Sequence, residues 1–259
     1  MAQFAPHYNL FKIINALRSF LTVAFWGILI VSIIPFIVKY FGIDCHIDDI
    51  LNIANIIFLF FYFFIDIIIE FILIPQADGK RRDDFLDNSF GSNFALQSSV
   101  GYFDNDEVAQ GIYKAAVNLF ENCFFTHSLI KYITIRKIVL PLCVLLIVAV
   151  FAYIGFKDAP IALSVLQALF SATILGGLIK HLILMARLNT IEKDWVFLFQ
   201  DPAFKTRTVD YAHHVYRNWL SYESLHSKLP AEIPGSIYNK LNPKLTADWQ
   251  LLKTRFNIS

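Results

Sequence analysis

Four apolar stretches, each long enough to cross a bilayer, constrain this chain more than anything else in it. A spanning helix needs roughly 20 apolar residues. Residues 20–38, 51–74, 138–156 and 161–186 each meet that length. Hydrophobic residues make up 56% of the 259 positions, and they are concentrated in these blocks. The predicted fold class is therefore an all-α membrane protein with four transmembrane helices. Pro35 and Pro141 fall inside spans, where membrane helices tolerate them. The first span is too long, and lacks the small-residue cleavage pattern, to be a signal peptide. Only Lys157-Asp158-Ala159-Pro160 separates the third and fourth spans, which predicts a tight antiparallel hairpin.

Basic residues orient the spans. Lys12 and Arg18 precede the first. Lys80, Arg81, Arg82, Lys114, Lys131, Arg136 and Lys137 lie between the second and third, and many more follow Lys180. The two short opposite loops hold only Lys39 and Lys157. The positive-inside rule then places both termini and the middle segment in the cytoplasm. The predicted divisions are an amphipathic N-terminal helix at 1–19, spans at 20–74, a helical insert at 75–137, spans at 138–186 and a helical C-terminal region at 187–259. In the insert, Asp104 with Glu107 has the pattern of a capping box. Ile112, Tyr113, Ala116, Leu119, Phe120 and Cys123 follow it at helical spacing. Residues 230–243 contain Pro230, Pro234, Gly235 and Pro243, which predicts a connector before a last short helix.

Net charge is only +1, which excludes a globally basic nucleic-acid binder. Cys45, Cys123 and Cys143 have neither metal-type nor disulfide-type spacing. There is no Gly-rich phosphate loop, HExxH, GxSxG or CxxC, so no catalytic residue, metal or cofactor is expected. His213 and His214 are adjacent on a predicted helix and point about 100° apart, which suits one metal poorly.

The informative polar residues lie inside the second span. Asp48, Asn52, Asn55, Tyr62, Asp66 and Glu70 fall on one stripe about 80° wide when the span is set at helical pitch. Each buried Asp costs about 2.5–3.5 kcal/mol on insertion scales. The stripe must face water, a partner helix, or its own members. Ser164, Gln167 and Ser171 form a weaker stripe on the fourth span. Two readings stay open: hydrogen bonds that hold helices together, or the lining of a hydrated path that favours cations. The candidate pore-lining residues are Asn52, Asn55, Tyr62, Asp66, Glu70, Ser164, Gln167 and Ser171. The apolar run is expected to break at Pro75 into a strip dense in charge. There Asp78 can pair with Arg82 as a salt-bridged elbow. Alternatively Lys80, Arg81 and Arg82, with Lys114, Arg136 and Lys137, face a small polyanion.

The strip QADGKRRDDFLDNSFG and the following GIYKAAVNLFENCFF resemble a juxtamembrane motif of the four-span membrane effectors associated with bacterial nucleotidyltransferases in anti-phage defence. The order of spans, insert and helical tail resembles that family over most of the chain. The resemblance implies an oligomeric pore or membrane-disrupting protein in the bacterial inner membrane; four spans are too few to keep Asp66 and Glu70 off lipid around a hydrated path, so a cyclic homo-oligomer is expected, with a tetramer favoured. The resemblance also implies control by a nucleotide or short oligonucleotide made by a partner nucleotidyltransferase. In most such systems the signal activates; in the Hailong type a short DNA oligomer holds the effector closed. The rival reading from the residues is a non-conducting scaffold or sensor that recruits a partner through its cytoplasmic helices.

Overall fold

The structure, a computed structural model, describes residues 5–40, 47–97, 99–103, 105–154 and 175–258. No strand occurs among them. The helices are α1 (Tyr8–Tyr40), α2 (Ile47–Ile68), α3 (Ile74–Phe90), α4 (Ile112–Ile154), α5 (Gly177–Gln200), α6 (Ala203–Thr206), α7 (Ala212–Lys228) and α8 (Gly235–Phe256). A π turn at Ile69–Leu73 joins α2 to α3. The chain divides into two compact units. One comprises residues 12–74 and 135–179, the other residues 1–11, 75–134 and 180–259.

Two helices are long and apolar enough to cross a membrane, Tyr8–Ser32 and Ile53–Phe90. Their apolar side chains are not packed away: Phe60 is 67% exposed and Phe71 76%. Such a surface is stable only against lipid or other protein. The third expected span, 138–156, falls on the second part of α4 as far as Ile154, where Leu142, Leu146 and Val150 are exposed. Most of the fourth lies outside the described residues. α1 runs unbroken through the division expected at residue 19. At Pro75 the apolar run ends and the two units divide, but the helix itself continues. Pro75 lacks an N–H, and the helix absorbs the loss by widening: Ile74 N–H bonds to Ile69 O, five residues back.

The other unit has a core of soluble-protein type. On α5, Leu184, Leu188, Ile191, Trp195 and Leu198 are buried at alternating steps of four and three, one face of a 3.6-residue helix. They meet Ala116, Leu119, Phe120 and Cys123 of α4, Val215 and Tyr222 of α7, and Trp249 of α8. Phe120 is central, stacked on Phe199 at 5.2 Å and edge-on to Trp249 at 5.3 Å. Truncating a residue so enclosed costs about 3–5 kcal/mol. α4 and α5 are also cross-linked by polar contacts: Cys123 Sγ to Leu188 O at 3.8 Å, His127 to Glu192, and Thr134 Oγ1 to His181 Nε2 at 3.0 Å.

Two expectations for this unit are corrected. The capping box does not start a helix, because α4 begins at Ile112. Glu107 instead accepts from Lys253 Nζ at 2.6 Å, and Asn105 is fully buried. Asp104 lies outside the described residues. The proline-rich connector is also shorter than expected, since α8 starts at Gly235 and includes Pro243. Packing overrides the missing donor. Ile237 and Leu245 flank Pro243 and pack with Leu129 and Ile133, and Trp249 anchors the next turns. α8 ends in a Schellman motif, with Asn257 left-handed at φ 54° and Ile258 N–H bonded to Lys253 O at 2.9 Å.

Candidate functional site

The polar stripe of α2 is set against α1. Asn55 Nδ2 donates to Ser32 Oγ at 2.7 Å, and Arg18 Nη2 donates to Glu70 Oε1 at 2.8 Å. The two bonds are almost equally spaced along both helices, as antiparallel neighbours require. Tyr62 and Asp66, between them, are half-buried, while Phe60, Phe61, Phe63 and Phe64 are exposed. Glu70 keeps 43% of its side chain exposed. The structure thus brings Asn55, Tyr62, Asp66 and Glu70 onto one face. Asn52 lies on α2, but its side chain is outside the described set. Ser164, Gln167 and Ser171 lie outside the described residues.

The charged strip forms α3, and Asp78, Arg81, Asp84 and Asp87 face inward. Ala77, Asp78, Arg81, Asp84 and Phe85 are all buried. The expected Asp78–Arg82 pair is absent, and Arg82 is exposed. The pairing falls one residue earlier because the interior face of α3 carries residues 78, 81 and 85. Arg81 Nη2 donates to Glu223 Oε2 of α7 at 2.6 Å, and Arg81 Nε lies 3.6 Å from Asp78. His226, one turn beyond Glu223, sits 3.3 Å from Asp78. Burial is the largest influence and works against the Arg81 cation, but Glu223, Tyr222 and Asp78 together outweigh it and raise the pKa. Burial likewise raises Asp78, while His226 and Arg81 bring it below its ordinary value.

His7 closes the cluster. It is 6% exposed, edge-on to Tyr102 at 5.0 Å, and its Nδ1 has no hydrogen-bond partner. Burial, with Arg81 adding to it, lowers its pKa to about 4. Burial also raises the Tyr102 hydroxyl and lifts Tyr222 to about 12.

The remaining acids of α3 organise the segment that follows it. Asp87 accepts from Ser92 Oγ and from the N–H groups of Phe94 and Ala95 at 2.8–2.9 Å. Burial opposes its charge, but the two backbone donors and Ser92 hold the carboxyl below its usual range. Asp84 accepts from Ser99 N–H at 2.7 Å, yet burial leaves its pKa raised. A second polar knot is centred on the fully buried Asn105 and Asn118: Asn105 Nδ2 donates to Asn118 Oδ1 at 2.9 Å and to Glu121 Oε2 at 2.6 Å, and Asn118 donates to the half-buried Asn88 at 2.8 Å.

Of the six candidate ligand-binding residues, Lys80, Arg81, Arg82 and Lys114 belong to this unit and do not form one surface patch, while Arg136 and Lys137 belong to the other. Arg81 is buried and ion-paired. Lys114 is 6% exposed, with Asp106 at 3.9 Å. Lys80, Arg82 and Arg136 are exposed, and Lys137 is half-buried. None lines either of two clefts found in this unit. The larger, about 460 Å³, lies between α5 and α7; the smaller, about 330 Å³, is flanked by Lys205, Arg255 and Phe256. His214 lines the larger cleft, its ring 4.2 Å from that of His213. No group of three metal-ligating side chains occurs among the described residues.

The partners that sequence reading missed are His7, Glu223 and His226. The pairing of Arg81 with Glu223 spans 142 positions, and no local spacing signals it. A cue existed only for the acids. Asp84 and Asp87 precede a Ser, Asn and Gly-rich stretch whose backbone donors need acceptors.

No family model, no curated protein and no solved structure matches this chain.

Proposed function

We propose that this chain is a membrane effector whose copies assemble into a cation-conducting pore in bacterial anti-phage defence, controlled by a nucleotide or short oligonucleotide signal. Four spans per copy, both termini in the cytoplasm of the inner membrane, and a cyclic assembly, with four copies favoured, complete the reading. The observation that carries it is the face of α2 holding Asn55, Tyr62, Asp66 and Glu70 amid exposed phenylalanine and isoleucine. Such a face is costly in lipid and useful beside water. The packed unit outside the spans supplies a body on which a signal can act. No reaction is assigned to it.

A second reading has its own observation. Ser32 and Arg18 already occupy Asn55 and Glu70, as a clasp between α1 and α2 would require. On that reading the chain is a non-conducting scaffold. Ion flux across vesicles reconstituted with the purified chain separates the two. The pore gives single-channel currents, and Asp66→Asn changes their cation selectivity at constant shape. A scaffold gives no current, and flux indifferent to Asp66→Asn removes α2 from the path.

A further inference from the structure

We infer that the cleft between α5 and α7 binds a nucleoside phosphate, with adenine the base that its amides fit best. This deepens the proposed function by locating a site for the signal. It rests on that reading for what binding does, and not for where binding occurs.

The floor of the cleft is Asn218. It is 5% exposed, on the inward face of α7 with Val215 and Tyr222, and it lines the cleft. Its side-chain amide makes no hydrogen bond among the described residues. Its polar atoms are not enclosed and meet the solvent of the cleft, so a ligand amide or base edge can replace water there. An Asn amide offers a donor beside an acceptor, the pattern that pairs with both N6 and N7 of adenine. Gln200 of α5 lines the same cleft and brings a second amide.

The rim supplies the other two elements. Phe197 is 76% exposed at the cleft edge, so its ring face is open. A base stacked on such a ring gains about 1–3 kcal/mol. Arg217 is exposed, lines the cleft one turn from His214, and makes no ion pair among the described residues. A guanidinium binds phosphate through two parallel hydrogen bonds. Of the two acids that line the cleft, Asp201 accepts from Tyr211 O–H and from Ala203 N–H. Asp194 remains as an acceptor for a hydroxyl or an exocyclic amine. The volume lies within the range of small-molecule sites.

The test is equilibrium dialysis of the full chain in detergent with adenosine monophosphate, cytidine monophosphate and inorganic phosphate. The inference expects saturable binding of adenosine monophosphate, with cytidine monophosphate and phosphate each about tenfold weaker or more. Arg217→Gln and Phe197→Ser alter exposed side chains and leave the fold intact, and each is expected to weaken binding about tenfold. Asn218→Leu should abolish the preference for adenine. Absence of saturable binding at millimolar concentration overturns the inference. So does wild-type affinity in both surface variants, or phosphate binding as tightly as the nucleotide. Vesicle flux measured without nucleotide keeps the two claims apart. Lost binding with flux intact removes the site and leaves the pore; binding without flux does the reverse.

Discussion

Arg81 and Glu223 lie 2.6 Å apart on α3 and α7, and their side chains are only 8% and 16% exposed. Removing one partner of a buried pair leaves the other charge stranded, at roughly 3–5 kcal/mol. Arg81→Met should therefore lower the unfolding midpoint of the packed unit sharply. Arg82→Ala and Lys80→Ala, at exposed positions, should leave it within about 0.5 kcal/mol. Urea titration followed by tryptophan fluorescence checks this. Equal effects at positions 81 and 82 would remove the structural role argued for Arg81.

His7 predicts a pH window. Its folded pKa, about 4, is below the ordinary 6.5. The folded state then binds fewer protons than the unfolded one between these values. Its contribution is complete above pH 6.5 and is lost as pH falls towards 4. The groups facing it are Arg81 and Asp78 of α3, His226 of α7 and Tyr102. Asp78 favours the proton and the two bases oppose it. His7→Phe keeps the ring packing and should remove on the order of 1–3 kcal/mol of acid sensitivity between pH 6.5 and 4.5. Melting curves of both proteins across that range decide it.

Asp87→Ala deletes the acceptor for three donors at once. Residues 91–97 should become the first site of proteolytic cleavage, with a loss of about 1–3 kcal/mol. Limited proteolysis with mass spectrometry locates the cut. Asp83→Ala, at the half-buried neighbouring acid, serves as the control.

Gly91 terminates α3 at φ +69°, with its N–H bonded to Asp87 O at 2.9 Å. A Cβ there would come within 2.4 Å of Gln110 Oε1. The side chain of Gln110 can move, but the left-handed backbone cannot relax. Gly91→Ala should cost roughly 1–2 kcal/mol, and Gly91→Asn less. Thermal unfolding of the two variants tests the order.

The α1–α2 clasp predicts rescue by exchange. Arg18→Glu should weaken assembly of the chain, and adding Glu70→Arg should restore it. Size-exclusion profiles in mild detergent are the readout. If the double exchange is no better than the single change, the pair does not hold the helices together.

Elements with strong periodicity were legible in the sequence. Two helices long and apolar enough to span declared themselves by length, and the start of α4 was visible in the spacing of Ile112, Ala116, Leu119 and Cys123. Boundaries decided by distant packing were not. Pro243 reads locally as a stop, yet Ile237, Leu245 and Trp249 carry the helix through it. Asp104–Glu107 reads as a cap, yet Lys253, far along the chain, takes the Glu107 carboxylate. The stripe on α2 was legible because it obeys one helix's own pitch. The role of Arg81 was not, because a run of charges looks solvent-facing until the helix behind it is known. The α5–α7 cleft left no mark either, since Asn218 stands in an ordinary amphipathic pattern.

The π turn at Ile69–Leu73 makes one place in this helix tolerant of a change in chain length. A π turn holds one residue more than the same stretch of α-helix needs. Deleting Ile72 removes that extra residue, beyond the point where Glu70 has already met Arg18, and leaves the clasp in register. Deleting Leu59 removes a residue between Asn55 and Glu70. That turns one relative to the other by about 100°, so Ser32 and Arg18 can no longer both be met. Two deletions of equal size and similar chemistry, thirteen positions apart, should thus differ completely in outcome.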